Sequence, residues 1–167
     1  NVIDLEVGIL INETTSSIYI LATYYKKGIG HRAQIYSWIP GSAPTLFGAE
    51  IVLSSSSIYT RISQDIQRHY SAAVTWQEGN NIYVKVLDLL SGTFVIGNSI
   101  LVTNALNGTY PDIALSTSLS SPIKVRITYI DKITGDIVVS NNNYNTLLTL
   151  PIGSSIPFHI DYIQPGE

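Results

Sequence analysis

The sequence predicts an all-β protein built from three repeats of about four antiparallel strands each. Short runs rich in Val, Ile, Thr and Tyr alternate with clusters of Gly, Asn, Ser and Pro, and no window has the apolar spacing of an amphipathic helix. A strand that ends in Thr and an aromatic residue occurs three times, with Thr23, Thr75 and Thr128 separated by 52 and 53 residues. We therefore expect a single domain over residues 1–167, with repeats at about 1–55, 56–106 and 107–167.

Two further landmarks recur in the same order. In each repeat, an aromatic or aliphatic residue precedes a Gly, and an Ile lies three residues after that Gly. The three glycines are Gly48, Gly97 and Gly153. A looser match links residues 2–5, 59–62 and 110–113. The expected strands, in chain order, are 2–11, 18–26, 31–39 and 46–54; then 59–66, 70–77, 82–89 and 94–103; then 110–116, 123–131, 135–141 and 156–163.

A repeat of about fifty residues has the length of a four-stranded propeller blade. Propellers contain at least four blades, so three repeats cannot close a ring alone. A second copy of the chain could complete the ring, the repeats could belong to a longer chain, or the strands could form a β-sandwich or a threefold barrel. In the blade arrangement, Tyr24, Trp76 and Tyr129 should pack between adjacent sheets. Neighbouring Tyr24 and Tyr25 point to opposite faces of their strand, so one of them should pack between sheets.

The third repeat contains the runs YPDIAL (residues 110–115), ITYID (127–131) and GDIVV (135–139). These runs resemble the blades of secreted β-propellers, a broad group that includes sialidase-like and bacterial surface repeats. The resemblance implies an inner strand containing Pro111, a strand that ends in a Thr-aromatic pair, a turn and a third strand, with Trp76 and Asp88 at matching places in the second repeat. Because the Ser-x-Asp-x-Gly-x-x-Trp motif of the glycosidases is missing, the resemblance implies the architecture and not a sialidase activity.

Composition narrows the function. Only 13% of residues are charged and the net charge is −3, which gives no electrostatic reason to bind nucleic acid. No apolar run is long enough for a membrane-spanning helix, so we expect no membrane insertion. The absence of Cys excludes thiolate metal sites and cysteine nucleophiles. Met is also absent, and we expect a processed product or a segment cut from a longer protein.

The sequence offers few residues for catalysis or metal binding. His31, His69 and His159 occupy different positions in their repeats, so the repeat would not bring them together, and we expect neither a metal nor another cofactor. Asp4 and Asp112 lie at matching places on the expected innermost strands, where they could contact a ligand or form structural pairs. No hydrolase, phosphate-loop or dinucleotide motif is present, and we expect no enzyme activity.

Aromatic residues and sequons complete the candidates. Tyr36 and Trp38 could stack on a sugar, which leaves carbohydrate as a partner. Asn12 and Asn107 begin Asn-x-Thr sequons, which suit an extracellular or cell-surface glycoprotein. We expect a non-catalytic extracellular recognition or adhesion module that self-associates as a homo-oligomer. The alternative is a structural subunit of a filament or surface assembly, joined by exchange or edge pairing of the apolar first strand. A lectin or a propeller hydrolase is the less favoured hypothesis.

Overall fold

The computed structural model describes residues 1–12, 15–56, 62–67, 71–90, 93–102, 108–115, 125–140 and 146–150. This part of the chain contains thirteen strands in three antiparallel sheets and no helix. Sheet 1 comprises β1 (Val2–Asn12), β2 (Ser17–Lys26), β3 (Gly30–Trp38) and β4 (Thr45–Val52). Sheet 2 comprises β5 (Ile62–Gln67), β6 (Ser71–Glu78), β7 (Asn81–Leu90), β8 (Thr93–Ile96) and β9 (Ile100–Leu101). Sheet 3 comprises β10 (Gly108–Leu115), β11 (Val125–Asp131), β12 (Ile137–Ser140) and β13 (Thr146–Leu150).

Within each sheet, four strands that follow one another in sequence lie side by side, and β9 pairs with β7. The all-β prediction is confirmed for the described residues, which form three antiparallel sheets of four, five and four strands. Each of these sheets is open and none closes on itself, so the threefold-barrel alternative is wrong for this part of the chain.

A strand that was not predicted completes the described part of sheet 3. It lies at Thr146–Leu150 and pairs with β12, whereas the predicted strand at 156–163 falls outside the described residues, as does Gly153. The Thr and Leu residues of β13 have high enough β-propensity to form a hairpin as soon as the chain has turned after β12. The similarity between repeats led to a predicted strand at 156–163 and not at Thr146–Leu150.

The repeated glycine marks an irregularity in the fourth strand. In sheet 1, the register between β3 and β4 shifts between Phe47 and Ile51, and Gly48 there has a φ of 76°. In sheet 2, the predicted strand 94–103 is broken after Ile96, where the Gly97 N–H donates to the carbonyl of Val86. Glycine suits both places because it tolerates a bulge and a close approach of the backbone.

The sheets stack in chain order, and each has two distinct faces. We call the face that bears Tyr24, Trp76 or Tyr129 the aromatic face, and the face that bears Thr23, Thr75 or Thr128 the threonine face. The threonine face of sheet 1 packs on the aromatic face of sheet 2 through a core that includes Leu10, Leu21, Ala33, Val74, Trp76 and Leu87. The threonine face of sheet 2 packs on the aromatic face of sheet 3 through a core that includes Ala73, Ile82, Val84, Ile113, Ile127 and Tyr129.

The three sheets have the same orientation in the stack. Tyr19, at the start of β2, packs edge-on against Phe94 at the start of β8, with ring centroids 5.1 Å apart. At the opposite end, the Lys132 ammonium donates to the Asn80 amide oxygen, which joins the β11–β12 turn to the β6–β7 turn. The first strands also adjoin, with β5 in contact with both β1 and β10. Equivalent strands of successive sheets therefore lie beside one another.

Candidate functional site

The aromatic face of sheet 1 is the one aromatic face that no described sheet covers. Trp76 and Tyr129 are only 1% and 3% exposed, because each packs against the sheet that precedes its own. Tyr24 occupies the same repeat position but is half-buried. The prediction that these aromatics pack between sheets is therefore confirmed for two of them, whereas no described sheet of the chain packs on Tyr24. Its neighbour Tyr25 points to the threonine face and is buried, as alternation along the strand requires.

The first strand makes this open face strongly apolar. Val2, Leu5, Val7 and Ile9 point outward, and each is half exposed or more. Leu46 and Val52 of β4 extend the exposed apolar surface to the other edge of the sheet. A solvated face of an antiparallel sheet normally carries polar residues at such positions. Contiguous apolar surface of this kind marks an interaction site.

A groove of about 500 Å³ crosses the open face. Val2, Leu5 and Val7 line it on one side, and Tyr24 and Tyr36 line it from the middle strands. A β-bulge shapes the groove, because the register between β1 and β2 shifts between Ile3 and Glu6 and one extra residue enters β1. The bulge lets Val2, Leu5 and Val7 all point to the groove despite their uneven spacing.

The groove has a polar rim on the side of β4. The Tyr24 hydroxyl donates a 2.6 Å hydrogen bond to Glu50 Oε1, and the Arg32 and Lys26 cations lie 3.4 and 3.6 Å from the same carboxylate. The hydrogen bond from Tyr24, together with these cations, lowers the pKa of Glu50 below its usual value. Burial, and then the contact with Glu50, raise the pKa of the Tyr24 hydroxyl, which stays protonated at neutral pH. Arg32 also donates to the backbone carbonyls of His31 and Ile29, so its guanidinium is fixed in place.

The two aromatic residues predicted to contact a ligand lie on this same face. Tyr36 lines the groove, and Trp38 lies two residues further along, at the end of β3. Both side chains are half-buried, and the Trp38 indole N–H donates to the carbonyl of Ser42. Sequence analysis did not single out Val2, Leu5, Val7 or Glu50 as site residues. The signal for the first three was the apolar character of the first strand at its edge position.

Asp4 and Asp112 do not occupy matching places. Asp112 pairs with Thr128 in sheet 3, and Glu6 pairs with the equivalent Thr23 in sheet 1. Glu6 is therefore the counterpart of Asp112. Asp4 instead matches Tyr110, because both are the positive-φ residues of a bulge in the first strand of their sheets. Asp112 accepts a hydrogen bond from the N–H of Ile113. The first strand of sheet 2 lies between their two strands, and the structure does not bring the two carboxylates into one described site.

The remaining candidates are dispersed. His31 is fully buried beside the ring of Tyr25, while His69 and His159 lie outside the described residues. Among the residues that are described, no three His, Cys, Asp or Glu side chains form a group that could hold a metal ion. Asn12 is buried, and its side-chain oxygen accepts from the N–H of Thr15, so a glycan at this residue would require the amide to become exposed. Asn107 lies outside the described residues.

Comparisons with known proteins give no family. No family model matches the chain, and neither the curated proteins nor the solved structures contain a significant match. Within the described ranges, no helix has the length and apolar character needed to cross a membrane. The likeness to secreted propeller repeats therefore remains an expectation from the sequence.

Proposed function

We propose that the chain is a non-catalytic recognition or adhesion module made of three propeller-type blades, and that it completes its fold with further copies of itself. The observation that carries the proposal is the contrast between Tyr24 and its counterparts. Trp76 and Tyr129 are buried under a neighbouring sheet, whereas Tyr24 is half-buried on a face with no described neighbour. A second copy of the chain supplies the missing sheet.

The arrangement of the strands supports blades. Each sheet is a four-strand meander in sequence order, the sheets stack face to face, and the first strands adjoin, as they do around the axis of a propeller. Three blades are fewer than any propeller contains, so the arc must be extended. An extracellular location draws its support from the resemblance to secreted repeats and from the Asn-x-Thr sequons.

A protein sheet fits the open face better than a small ligand does. A groove of 500 Å³ lies within the range of small-molecule sites, and a sugar on Tyr36 would occupy it. However, the exposed apolar residues extend beyond the groove to Ile9 and Leu46, which a ligand of that size would leave in water. A stable protein interface covers about 800 Å² on each partner, enough for the whole face of a four-stranded sheet.

Sedimentation of the intact chain tests the proposal. We expect a discrete species with a mass above 18.3 kDa at micromolar concentration. Val7→Lys should shift the protein to monomer without loss of its strand signal in circular dichroism. A second copy that packed on the open face would bury the Lys cation without a counter-ion, at a high cost in free energy. Ile133→Lys is the matched control, since Ile133 is 75% exposed on a turn away from this face. A compact monomer of the unaltered chain would overturn the proposal.

The second candidate is a structural subunit that polymerises by exchange of its first strand. The outward residues of β1 favour it, because all of them are exposed and the strand would present them to a neighbour. In the structure, β1 pairs with β2 of its own chain from Glu6 to Asn12. A disulfide between Ile11→Cys and Ile18→Cys, which face each other in that register, would hold β1 in place. Loss of assembly on oxidation would favour strand exchange, whereas unchanged assembly would favour stacking of sheets.

A further inference from the structure

We infer that the open aromatic face of sheet 1 binds the threonine face of sheet 3 from a second copy, and that two copies close into a ring of six sheets. The inference rests on the proposed function and adds the identity of the partner surface. Both sheet-to-sheet contacts in the described part of the chain join a threonine face to an aromatic face. Among the described sheets, the threonine face of sheet 3 and the aromatic face of sheet 1 are the two that pack on no other sheet. A head-to-tail contact between copies joins unlike faces a third time.

The contact between sheets 2 and 3 shows what such a junction contains. Ile82 lies against Gly108 and near Tyr129: a Cβ placed on Gly108 would be 2.5 Å from Ile82 Cδ1 and 3.1 Å from the Tyr129 ring. Ile82 therefore fills the space beside the first residue of β10 and the repeated aromatic of β11.

The strand registers give the equivalent residues at the open ends. Gly108 pairs with the residue two positions after Tyr129, and Val2 pairs with Lys26, two positions after Tyr24, so Val2 is the counterpart of Gly108. Ile82 pairs with Gln77, the residue after Trp76. Ile137 pairs with Ile130, the residue after Tyr129, so Ile137 is the counterpart of Ile82.

These equivalences predict that Ile137 of one copy enters the groove of the other, between Val2 and Tyr24. Both residues line the groove, and Ile137 is half-buried. Because Val2 replaces a glycine, the two sheets must lie slightly further apart here than sheets 2 and 3 do at Gly108. The groove supplies the room for that separation.

The threonine face of sheet 3 has the composition that this contact needs. Ile130 and Ile137 pair with each other across β11 and β12, and both remain half-buried. Thr128 and Val139 lie buried beside them, and Arg126 donates to the carbonyl of Ser140 at the border. This face therefore combines an apolar patch at Ile130, Ile137 and Val139 with polar groups. These are Thr128, the Asp112 carboxylate that pairs with it on β10, and the Arg126 cation at one side.

The number of copies follows from the number of blades. Typical propellers contain four to eight blades. Three sheets from each chain give three, six or nine, and only six falls within that range. Two copies would then form two identical head-to-tail contacts related by a twofold axis.

Because the chain contains no Cys, cysteine cross-linking tests the inference directly. A Val2→Cys chain is mixed with an Ile137→Cys chain and oxidised, and a short bismaleimide is used in parallel in case the disulfide geometry is not met. We expect a covalent dimer that requires both variants. The control pair of Val2→Cys with Ile39→Cys should form none, because Ile39 is exposed just beyond the end of β3, at the opposite end of sheet 1 from Val2. The double variant Val2→Cys/Ile137→Cys should give a dimer with two links.

Each other result overturns the inference in a distinguishable way. Dimers of Val2→Cys alone would show that two aromatic faces meet each other. A ladder of higher oligomers from the double variant would show that the contact does not close. A sedimenting dimer without the cross-link would refute the partner surface but leave the proposed self-association intact. A monomer in sedimentation would refute both.

Discussion

Replacement of Trp76 by Ala should cost far more stability than the same replacement of Tyr24. Trp76 is 1% exposed, stacks on Tyr83 with ring centroids 5.7 Å apart, and packs against the core residues of sheet 1. A buried Trp removes about 150–250 Å² from water, which at about 25 cal/mol per Å² corresponds to about 4–6 kcal/mol. Measured losses for large aromatics in protein cores are about 3–5 kcal/mol, and we expect Trp76→Ala to fall in that range.

Tyr24 provides the matched control, because it holds the same repeat position on the open face. In a monomeric background such as Val7→Lys, Tyr24→Ala should cost about 1 kcal/mol or less, since much of the ring is already in water. In the assembling chain, its cost should grow with protein concentration, because a partner that buries the ring links stability to association. Trp76→Ala should show the large loss in both backgrounds.

Urea unfolding followed by far-UV circular dichroism measures these differences. The choice of circular dichroism avoids loss of the fluorescence signal in the Trp76 variant. A loss below about 1 kcal/mol for Trp76→Ala would refute the packing of sheet 1 on sheet 2. Equal losses for the two variants in the monomeric background would refute the claim that the aromatic face of sheet 1 is open.

Three further predictions use the same unfolding assay. Thr23→Val should stabilise the protein by about 1 kcal/mol, because the fully buried Thr23 hydroxyl has no hydrogen-bond partner. Thr75→Val should destabilise it by a similar amount, because the Thr75 hydroxyl donates to a carbonyl. Stability changes of the same sign for both variants would contradict the prediction. Gly30→Ala should destabilise the protein strongly, because Gly30 has a φ of 116° and a Cβ there would clash with a backbone carbonyl. Gly28→Ala should cost less stability, because a Cβ at Gly28 meets open space. Equal losses of stability would contradict the close contact at Gly30. Because the pKa of Glu50 is lowered in the folded protein, its carboxylate contributes stability that is fully present above the unfolded pKa of 4.5 and is lost as the pH falls through the folded pKa. The Glu50→Gln variant should therefore lose less stability on acidification than the unaltered protein. Identical pH profiles for the two proteins would refute the role of this carboxylate.

The sequence predicted the central strands of each repeat well because two constraints coincide there. Thr and the following aromatic must point to opposite faces, and at least one of these faces packs on a neighbouring sheet in each repeat, so residue type is restricted. The predicted second strand at 18–26 and the observed Ser17–Lys26 differ by one residue. The alternation also predicted correctly that one of Tyr24 and Tyr25 would be buried between sheets.

Other features left no usable signal in the sequence. The bulges in the first strands depend on positive φ angles at Asp4 and Tyr110, which are not glycines, so the register of Asp4 and Asp112 was misjudged. The segment Thr146–Leu150 and the later segment at 156–163 have similar strand propensity, and similarity between repeats led to a prediction of the later one alone. Tyr36 and Trp38 were named as possible sugar contacts from their chemistry alone, without a face. The groove beside Tyr36 depends on β1, a distant part of the sequence.

The pattern of residues on β1 supports the proposal that a partner covers the open face. Every outward residue from Val2 to Ile9 on this strand is apolar, although the position is at the edge of a sheet where proteins commonly place charges to prevent unwanted pairing. The inward position of Glu6, which is half-buried, shows that the strand carries a charge on its other face. A ligand confined to the groove would explain the apolar residues at Val2, Leu5 and Val7 but not Ile9 beyond them. A second sheet explains the whole stripe, because sheet-to-sheet packing buries every residue on one face of a strand.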